Sequence, residues 1–338
     1  MPAHHHRRRT ALVPALTAVA GLVALALAGP AYATYPGHNG RIAFQSATAQ
    51  GIQIFTVRPN GRDLRQITHV SGDAIGPDWS PDGRLIAFDI ETPDSGQIAI
   101  MNADGSGLIT LPKAPGNLLE VDPSFTPDGR RLVFNTFSAE TAAIWSMQLD
   151  GSDRRLIKTG PTADPNVSPD GRRLAFMGFN DQPFGQALFT SDIDGSNPLQ
   201  LTPFSFNVGF KLDWAPDGRQ LAFIHNADFA FPNDSANIAT IRPDGTGLRF
   251  LTNYHGGQVN AFVGTYSPDG RWIAFRLEDH GQFGLYKMHP DGTHLRPILG
   301  LSSFRPSFID WGANARPGDD EPGGHEDNGD RQDDDSHR

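Results

Sequence analysis

Trp79-Ser80-Pro81-Asp82-Gly83-Arg84-Leu85-Ile86-Ala87-Phe88 decides the reading of this chain, because close copies of it recur along the sequence. They run from Phe125-Thr126-Pro127-Asp128-Gly129-Arg130 to Phe134, from Val167-Ser168-Pro169-Asp170-Gly171-Arg172 to Phe176, from Trp214-Ala215-Pro216-Asp217-Gly218-Arg219 to Phe223, and from Tyr266-Ser267-Pro268-Asp269-Gly270-Arg271 to Phe275. The prolines of these copies are 46, 42, 47 and 52 residues apart, a period in the range of propeller blades. Proline presets φ for the start of a turn and glycine accepts a positive φ, so the motif joins a strand ending at Trp79 to a second strand, Leu85 to Phe88.

A second motif interleaves with the first. It reads Val57-Arg58-Pro59-Asn60-Gly61, Met101-Asn102-Ala103-Asp104-Gly105, Met147-Gln148-Leu149-Asp150-Gly151, Asp192-Ile193-Asp194-Gly195, Ile241-Arg242-Pro243-Asp244-Gly245 and Met288-His289-Pro290-Asp291-Gly292. An Asp-Gly turn between apolar runs links a third strand to a fourth, which makes each unit a four-stranded antiparallel meander. The second strands are apolar at consecutive positions rather than alternating, as at Ile86-Ala87-Phe88. Both of their faces must be covered, and adjacent blades supply that cover. A plain β-sandwich would not require the same two turns to recur in register.

The two ends complete one another. Arg41-Ile42-Ala43-Phe44 is a second strand with no first strand before it, whereas Phe308-Ile309-Asp310-Trp311-Gly312 matches Pro77-Asp78-Trp79 and Leu212-Asp213-Trp214 with no second strand after it. Pairing them completes a sixth blade and seals the ring, which removes open sheet edges. The fold class is therefore all-β, a six-bladed propeller over residues 34–312.

Residues 1–33 carry Arg7-Arg8-Arg9, an apolar run from Ala11 to Ala28 and the small-x-small end Ala31-Tyr32-Ala33, the layout of a secretory signal peptide cleaved after Ala33. Export to the periplasm or beyond is expected, by the general or the twin-arginine route, with no stable membrane span after processing. Loss of three arginines and no acids would move the formal charge from −10 to −13. An acidic protein of this kind disfavours nucleic acid and anionic membrane as partners. The chain has no cysteine, which removes disulfides, thiolate metal sites and cysteine nucleophiles. Residues 313–338 hold nine acids and three arginines without periodicity and are expected to be a disordered tail.

The paired motifs, aromatic-Ser-Pro-Asp-Gly-Arg-x-Ile/Leu-Ala-Phe and Asp-Gly-Ser/Thr, resemble the WD40-like Pro-Asp (PD40) repeat of the TolB-like six-bladed propellers, over residues 38–312. The resemblance implies a periplasmic protein that binds other envelope proteins or peptides, since TolB itself binds a peptidoglycan-associated lipoprotein and a colicin segment. With few residues between Ala33 and the first strand, the α/β domain that precedes the propeller in TolB is expected to be missing, which sets membership of a Tol–Pal system in doubt. The resemblance also extends to prolyl oligopeptidase propellers, but no Gly-x-Ser-x-Gly nucleophile turn occurs here.

The repeated Asp82, Asp128, Asp170, Asp217 and Asp269 occupy one turn each and read as turn formers rather than as a catalytic series. Function is sought in the non-repeating stretches that lead into each innermost strand, where the polar candidates at the channel mouth are Asp73, Glu120, Asp122, Asp164, Lys211, Asn260 and Arg305. The expected ligand is a protein or peptide in the cell envelope, with no cofactor and no metal, and the propeller is expected to be a monomer without a reaction of its own. Aromatic residues at Phe179, Phe184, Phe204, Phe206, Phe229 and Phe231 sit in otherwise polar stretches and suit either an interface or blade packing. The enzymatic alternative is a propeller lyase or hydrolase acting on a carbohydrate or small ester, with a channel metal site drawn from His69, His225, His255 and His280.

Overall fold

The computed structural model describes residues 37–314 except 94, 115–118, 139–140, 182–183 and 227–233. The expected signal peptide, the acidic tail beyond Asn314, and Phe229 and Phe231 lie outside the described residues. Asp-Gly and Pro-Asp-Gly turns break the chain into short strands. In the first kind, Gly83 (φ 65°) takes the left-handed conformation and its N–H donates to the Ser80 carbonyl at 2.9 Å. Asp82 Oδ1 caps the same turn by accepting from the Arg84 N–H at 3.1 Å and from Ser80 Oγ at 2.7 Å. Asp128, Asp170, Asp217 and Asp269 accept from Arg130, Arg172, Arg219 and Arg271 in the same way, so each belongs to its own turn.

The first three strands are β1 (Asn39–Thr48), β2 (Gly51–Val57) and β3 (Arg65–Gln66). Blade two is β4 (Asp73–Trp79), β5 (Leu85–Thr92), β6 (Ser95–Asn102) and β7 (Ile109–Thr110), and blade three is β8 (Leu119–Phe125), β9 (Arg131–Phe137), β10 (Ala142–Gln148) and β11 (Arg155–Thr159). Blade four is β12 (Thr162–Val167), β13 (Arg173–Asp181), β14 (Phe184–Asp192) and β15 (Leu199–Gln200). Blade five is β16 (Asp213–Trp214), β17 (Leu221–His225), β18 (Asn237–Ile241) and β19 (Arg249–Phe250), and blade six is β20 (Val259–Tyr266), β21 (Ile273–Asp279), β22 (Gln282–Met288) and β23 (Arg296–Ser302). The last strand, β24 (Ser307–Ala313), pairs antiparallel with β1, Ile42 opposite Trp311 and Ala43 opposite Asp310, and completes blade one. Closure by the two ends is as the sequence predicts. Phe179 and Phe184 prove to lie in β13 and β14, an extended hairpin rather than a loop.

The hydrophobic core is divided into six parts, each lying between two blades. Phe88 of blade two packs with Ala43 and Ile54 of blade one, and Phe134 of blade three packs with Ala87 and Ile98 of blade two. The pattern goes round the ring: Phe176 meets Val133, Phe223 meets Ala175, Phe275 meets Ala222, and Phe44 meets Ala274. In each Ala-Phe pair the Phe faces the preceding blade, while the small neighbour faces the following one and leaves room for that blade's Phe. This alternation of large and small explains second strands that are apolar on both faces. The second turn adds a backbone contact between blades. A Cβ on Gly105 (φ 88°) would lie 2.4 Å from the Ile67 carbonyl oxygen of the preceding blade, so the turn seats only with glycine.

Phe134→Ala should therefore destabilise the protein by about 3–5 kcal/mol and Ala87→Leu by about 1–3 kcal/mol, one opening and the other overfilling the same seam. Ala87→Val should be nearly neutral, because Val133 fills the equivalent place in the next blade. Urea unfolding of the three variants checks the order.

Candidate functional site

Antiparallel order within each blade sends every Pro-Asp-Gly and Asp-Gly turn to one face of the ring and every non-repeating connection to the other, called here the top. The innermost strands β24, β4, β8, β12, β16 and β20 touch in sequence round a central channel. All but β16 carry an irregularity in their pairing with the second strand, and these irregularities build the channel mouth. The residue three positions before the strand-ending aromatic or its equivalent is Gly76, Asp122, Asp164, Lys211, Val263 or Phe308, and all but Val263 have positive φ. Asp122 and Asp164 (both φ 52°) are residue types that tolerate the left-handed region, whereas Lys211 (φ 73°) and Phe308 (φ 47°) are uncommon there. Backbone strain of that kind persists only where the surroundings impose it.

Two tiers of hydrogen bonds join the blades round the channel. In the upper tier, Gln45 Oε1 accepts from the Gly76 N–H at 2.9 Å, Asp89 Oδ1 from the Asp122 N–H at 3.2 Å, and Asp164 Oδ2 from the Leu212 N–H at 2.9 Å. In the lower tier, the aspartates just before Trp79, Trp214 and Trp311 act. Asp310 accepts from the Trp79 N–H at 2.7 Å, Asp78 from the Phe125 N–H at 2.8 Å, and Asp213 from the Tyr266 N–H at 2.7 Å. Every one of these bonds crosses from one blade to the next.

Lys211 stands among these carboxylates, with Nζ 3.9 Å from Asp310 Oδ1 and the residue only 9 % exposed. Burial pulls its ammonium down, but Asp310, Asp78, Asp164 and Asp213 outweigh that and raise it. The carboxyls move the other way from exposed ones. Burial raises Asp78, helped by Asp310 and opposed by Lys211, and burial with the charges of Asp122 and Glu91 raises Asp89. Asp164 is also raised by burial, against the pull of Lys211. Asp122 is pushed up to about 7 by burial and by the Asp164 and Glu91 charges. The mouth is thus an acid-lined ring around the buried Lys211, and Asp122 changes protonation near neutrality.

Of the residues expected at the mouth, the structure brings Asp122, Asp164 and Lys211 together. Asp73 stands apart: its carboxylate accepts from the Ile52 N–H at 2.7 Å, and it lies opposite Glu91 in the ladder. Glu120 is fully buried in an ion pair with Arg154 at 2.8 Å and accepts from the Ala114 N–H. Asn260 ties the Ala236 N–H at 2.9 Å and the Gly257 carbonyl at 3.2 Å. Arg305 is exposed, with its guanidinium 4.8 Å over the Phe283 ring. Several expected approach loops are in fact strand: Asp73, Glu120, Asp122, Asp164 and Asn260 lie inside β4, β8, β12 and β20, because the irregular pairing aims them without ending the strand.

Asp78, Asp89, Asp213 and Asp310 were not expected at the channel. The signal for three of them was present, since an Asp stands before Trp79, Trp214 and Trp311 alike. The histidines are scattered. His225 packs edge-on against Phe206 and Phe250, His280 bonds Asp279, and exposed His69 meets Gln66 Nε2 at 3.1 Å. Among the described residues no three His, Asp or Glu side chains are grouped as metal ligands would be. Two clefts of about 510 and 450 Å³ open on the opposite face among repeated turn residues such as Asp170, Asp217 and Asp269, so they belong to the blade scaffold.

The family model described as the TolB beta propeller domain matches residues 30–207, just over half of the 338-residue chain. The chain belongs to the TolB β-propeller family. Curated relatives are the Tol-Pal system protein TolB of Nitratidesulfovibrio vulgaris, 54% identical over 35 residues, and that of Anaeromyxobacter dehalogenans, 31% identical over 114 residues. These matches take in 10% and 33% of this chain and span only 8% and 23% of the relatives' length. The crystal structure of TolB from Acinetobacter baumannii superposes with a TM-score of 0.67 at 18% identity, over 81% of this chain and 67% of that one, a likeness of fold. No helix among the described residues is long and apolar enough to cross a membrane.

The raised carboxyls set the pH response of the ring. A carboxyl with a higher pKa folded than unfolded favours folding while protonated, so this contribution is present at low pH and is lost as pH rises from about 4 through the folded value. Between pH 8 and pH 5 the melting temperature should therefore rise, and Asp122→Asn, which keeps the left-handed backbone and an acceptor, should shrink that rise. Lys211→Met should cost about 3–5 kcal/mol at pH 8 by leaving buried carboxylates without their counter-charge. It should cost clearly less at pH 5. Thermal melts across this range check both.

Proposed function

We propose that this protein is an exported binding propeller whose channel mouth holds an extended segment of an envelope protein, with no reaction of its own. The observation that carries this reading is the segregation of the two faces. Every repeated turn lies at the bottom, whereas every non-repeating connection opens at the top, around the mouth where Asp122, Asp164 and Lys211 converge. A fixed lysine among carboxylates, held by strained backbone, offers both signs of charge to a peptide chain. Asp73, Glu120 and Asn260 hold the frame of that mouth, and Arg305 stands on its top face. Membership of the TolB family and the Tol-Pal naming of the curated relatives favour a protein partner in the envelope. The signal-like residues 1–33 favour export, and a single closed ring favours a monomer.

Phe210 is 42% exposed beside Lys211 and suits a photo-crosslinking residue that leaves the core untouched. Irradiation in intact cells should give a discrete protein adduct from position 210 and none from Asp217 in a bottom turn. The same adducts from both positions, or none from 210, would remove the channel mouth as the binding site.

A further inference from the structure

Blade six departs from the other five at the position after its second-strand Phe, which is polar in blades one to three and apolar, Met177 and Ile224, in blades four and five. The residue after the second-strand Phe is Gln45, Asp89 or Asn135 in blades one to three, and each of these bonds to the innermost strand of the next blade, Asn135 through Nδ2 to the Thr162 carbonyl at 2.5 Å. In blade six that position is Arg276, which has donors only. It is 8% exposed and its Nε has no hydrogen-bond partner among the described residues. Its guanidinium lies 3.8 Å over the Phe262 ring, directly opposite in the ladder. Arg276 shares its strand face with Ala274, which packs on Ile42 and Phe44, so it looks into the gap between blades six and one and lies nearer the top.

A second guanidinium stands beside it. Arg305, at the top of blade one's closing strand, covers Phe283, and Phe283 pairs with Glu278, two residues along β21 from Arg276. Burial and the Arg305 charge lower Arg276 to about 10, opposed by Glu278, so Arg276 remains charged at neutral pH. A guanidinium lying flat on an aromatic ring leaves its in-plane N–H donors unused by the ring, and these are the groups that bond a carboxylate. Two arginines against one glutamate leave this gap one positive charge in excess, in a mouth otherwise rich in carboxylates.

We infer that the gap between blades six and one is a carboxylate-binding site, in which Arg276 and Arg305 receive a carboxylate of an extended peptide, either an acidic side chain or the free C-terminus. The inference rests on the reading of the top face as the peptide-binding face. Glu278 sets its limit, because a like charge beside the ligand weakens the site.

The test is a titration of the full, ¹⁵N-labelled protein followed at the arginine Nε–H resonances, Arg276 being assigned by its loss in Arg276→Gln. The probes are a blocked tetrapeptide with one glutamate, its glutamine counterpart, and triglycine blocked only at its N-terminus. Saturable shifts with either carboxylate peptide at millimolar concentration, and none with the glutamine peptide, are expected, and the peptide that binds identifies the source of the carboxylate. Arg305→Gln, at an exposed position, should weaken binding about tenfold, while Glu278→Gln should strengthen it about threefold or more. Equal binding of the glutamine peptide, weaker binding in Glu278→Gln, or no saturable shift with any probe would overturn the inference. Arg305→Gln carries the test if Arg276→Gln does not fold. Crosslinking at Phe210 reports whether the face takes a protein and this titration whether the gap takes a carboxylate, so either can fail alone.

Discussion

The packing of each blade's phenylalanine against the small residue of the blade before it is the contact on which the rest of this ring depends. A four-stranded meander of this length buries little by itself, and the six cores found here all lie between blades. No blade is therefore stable alone, and each contact is completed only when the last blade meets the first. Pairing of β24 with β1 follows from this need, since without it Phe44 and Ala274 would face water.

The same requirement brings charge into the channel. Innermost strands converge on the axis, and their inward positions must be polar to bond the backbone of the next blade. Aspartate does this at three lower-tier positions, which concentrates carboxylates in a partly dry space. Lys211 offsets part of the repulsion, and raised carboxyl pKa values absorb part of the remainder. Interblade bonding and an electrostatically tense mouth are two consequences of one arrangement. Blade six alone carries a cation, Arg276, at the position that bonds the next blade in blades one to three.

How far the site was legible in the sequence follows from where each residue lies relative to the repeat. Asp122, Asp164 and Lys211 could be picked out because they interrupt a regular pattern, and they do meet. Asp73, Glu120 and Asn260 interrupt it too, but the partners that occupy them, the Ile52 N–H, Arg154 and the Ala236 N–H, come from other strands or blades and leave no local mark. Asp78, Asp213 and Asp310 were hidden by the opposite cause: their recurrence before tryptophan looked like part of the scaffold, and it is also the lining of the channel.

The sequence by itself determined the number of blades, the turns that separate their strands and the sealing of the ring by its two ends, because these rest on short-range backbone preferences repeated in register. Only the tertiary structure decided which carboxylates share one space, that Lys211 stands among them, and that Arg305 comes close enough to Arg276 for its charge to bear on it. The physical reason is that these side chains come from different blades or elements, and their protonation and partners depend on distances and burial that exist only once the ring has closed.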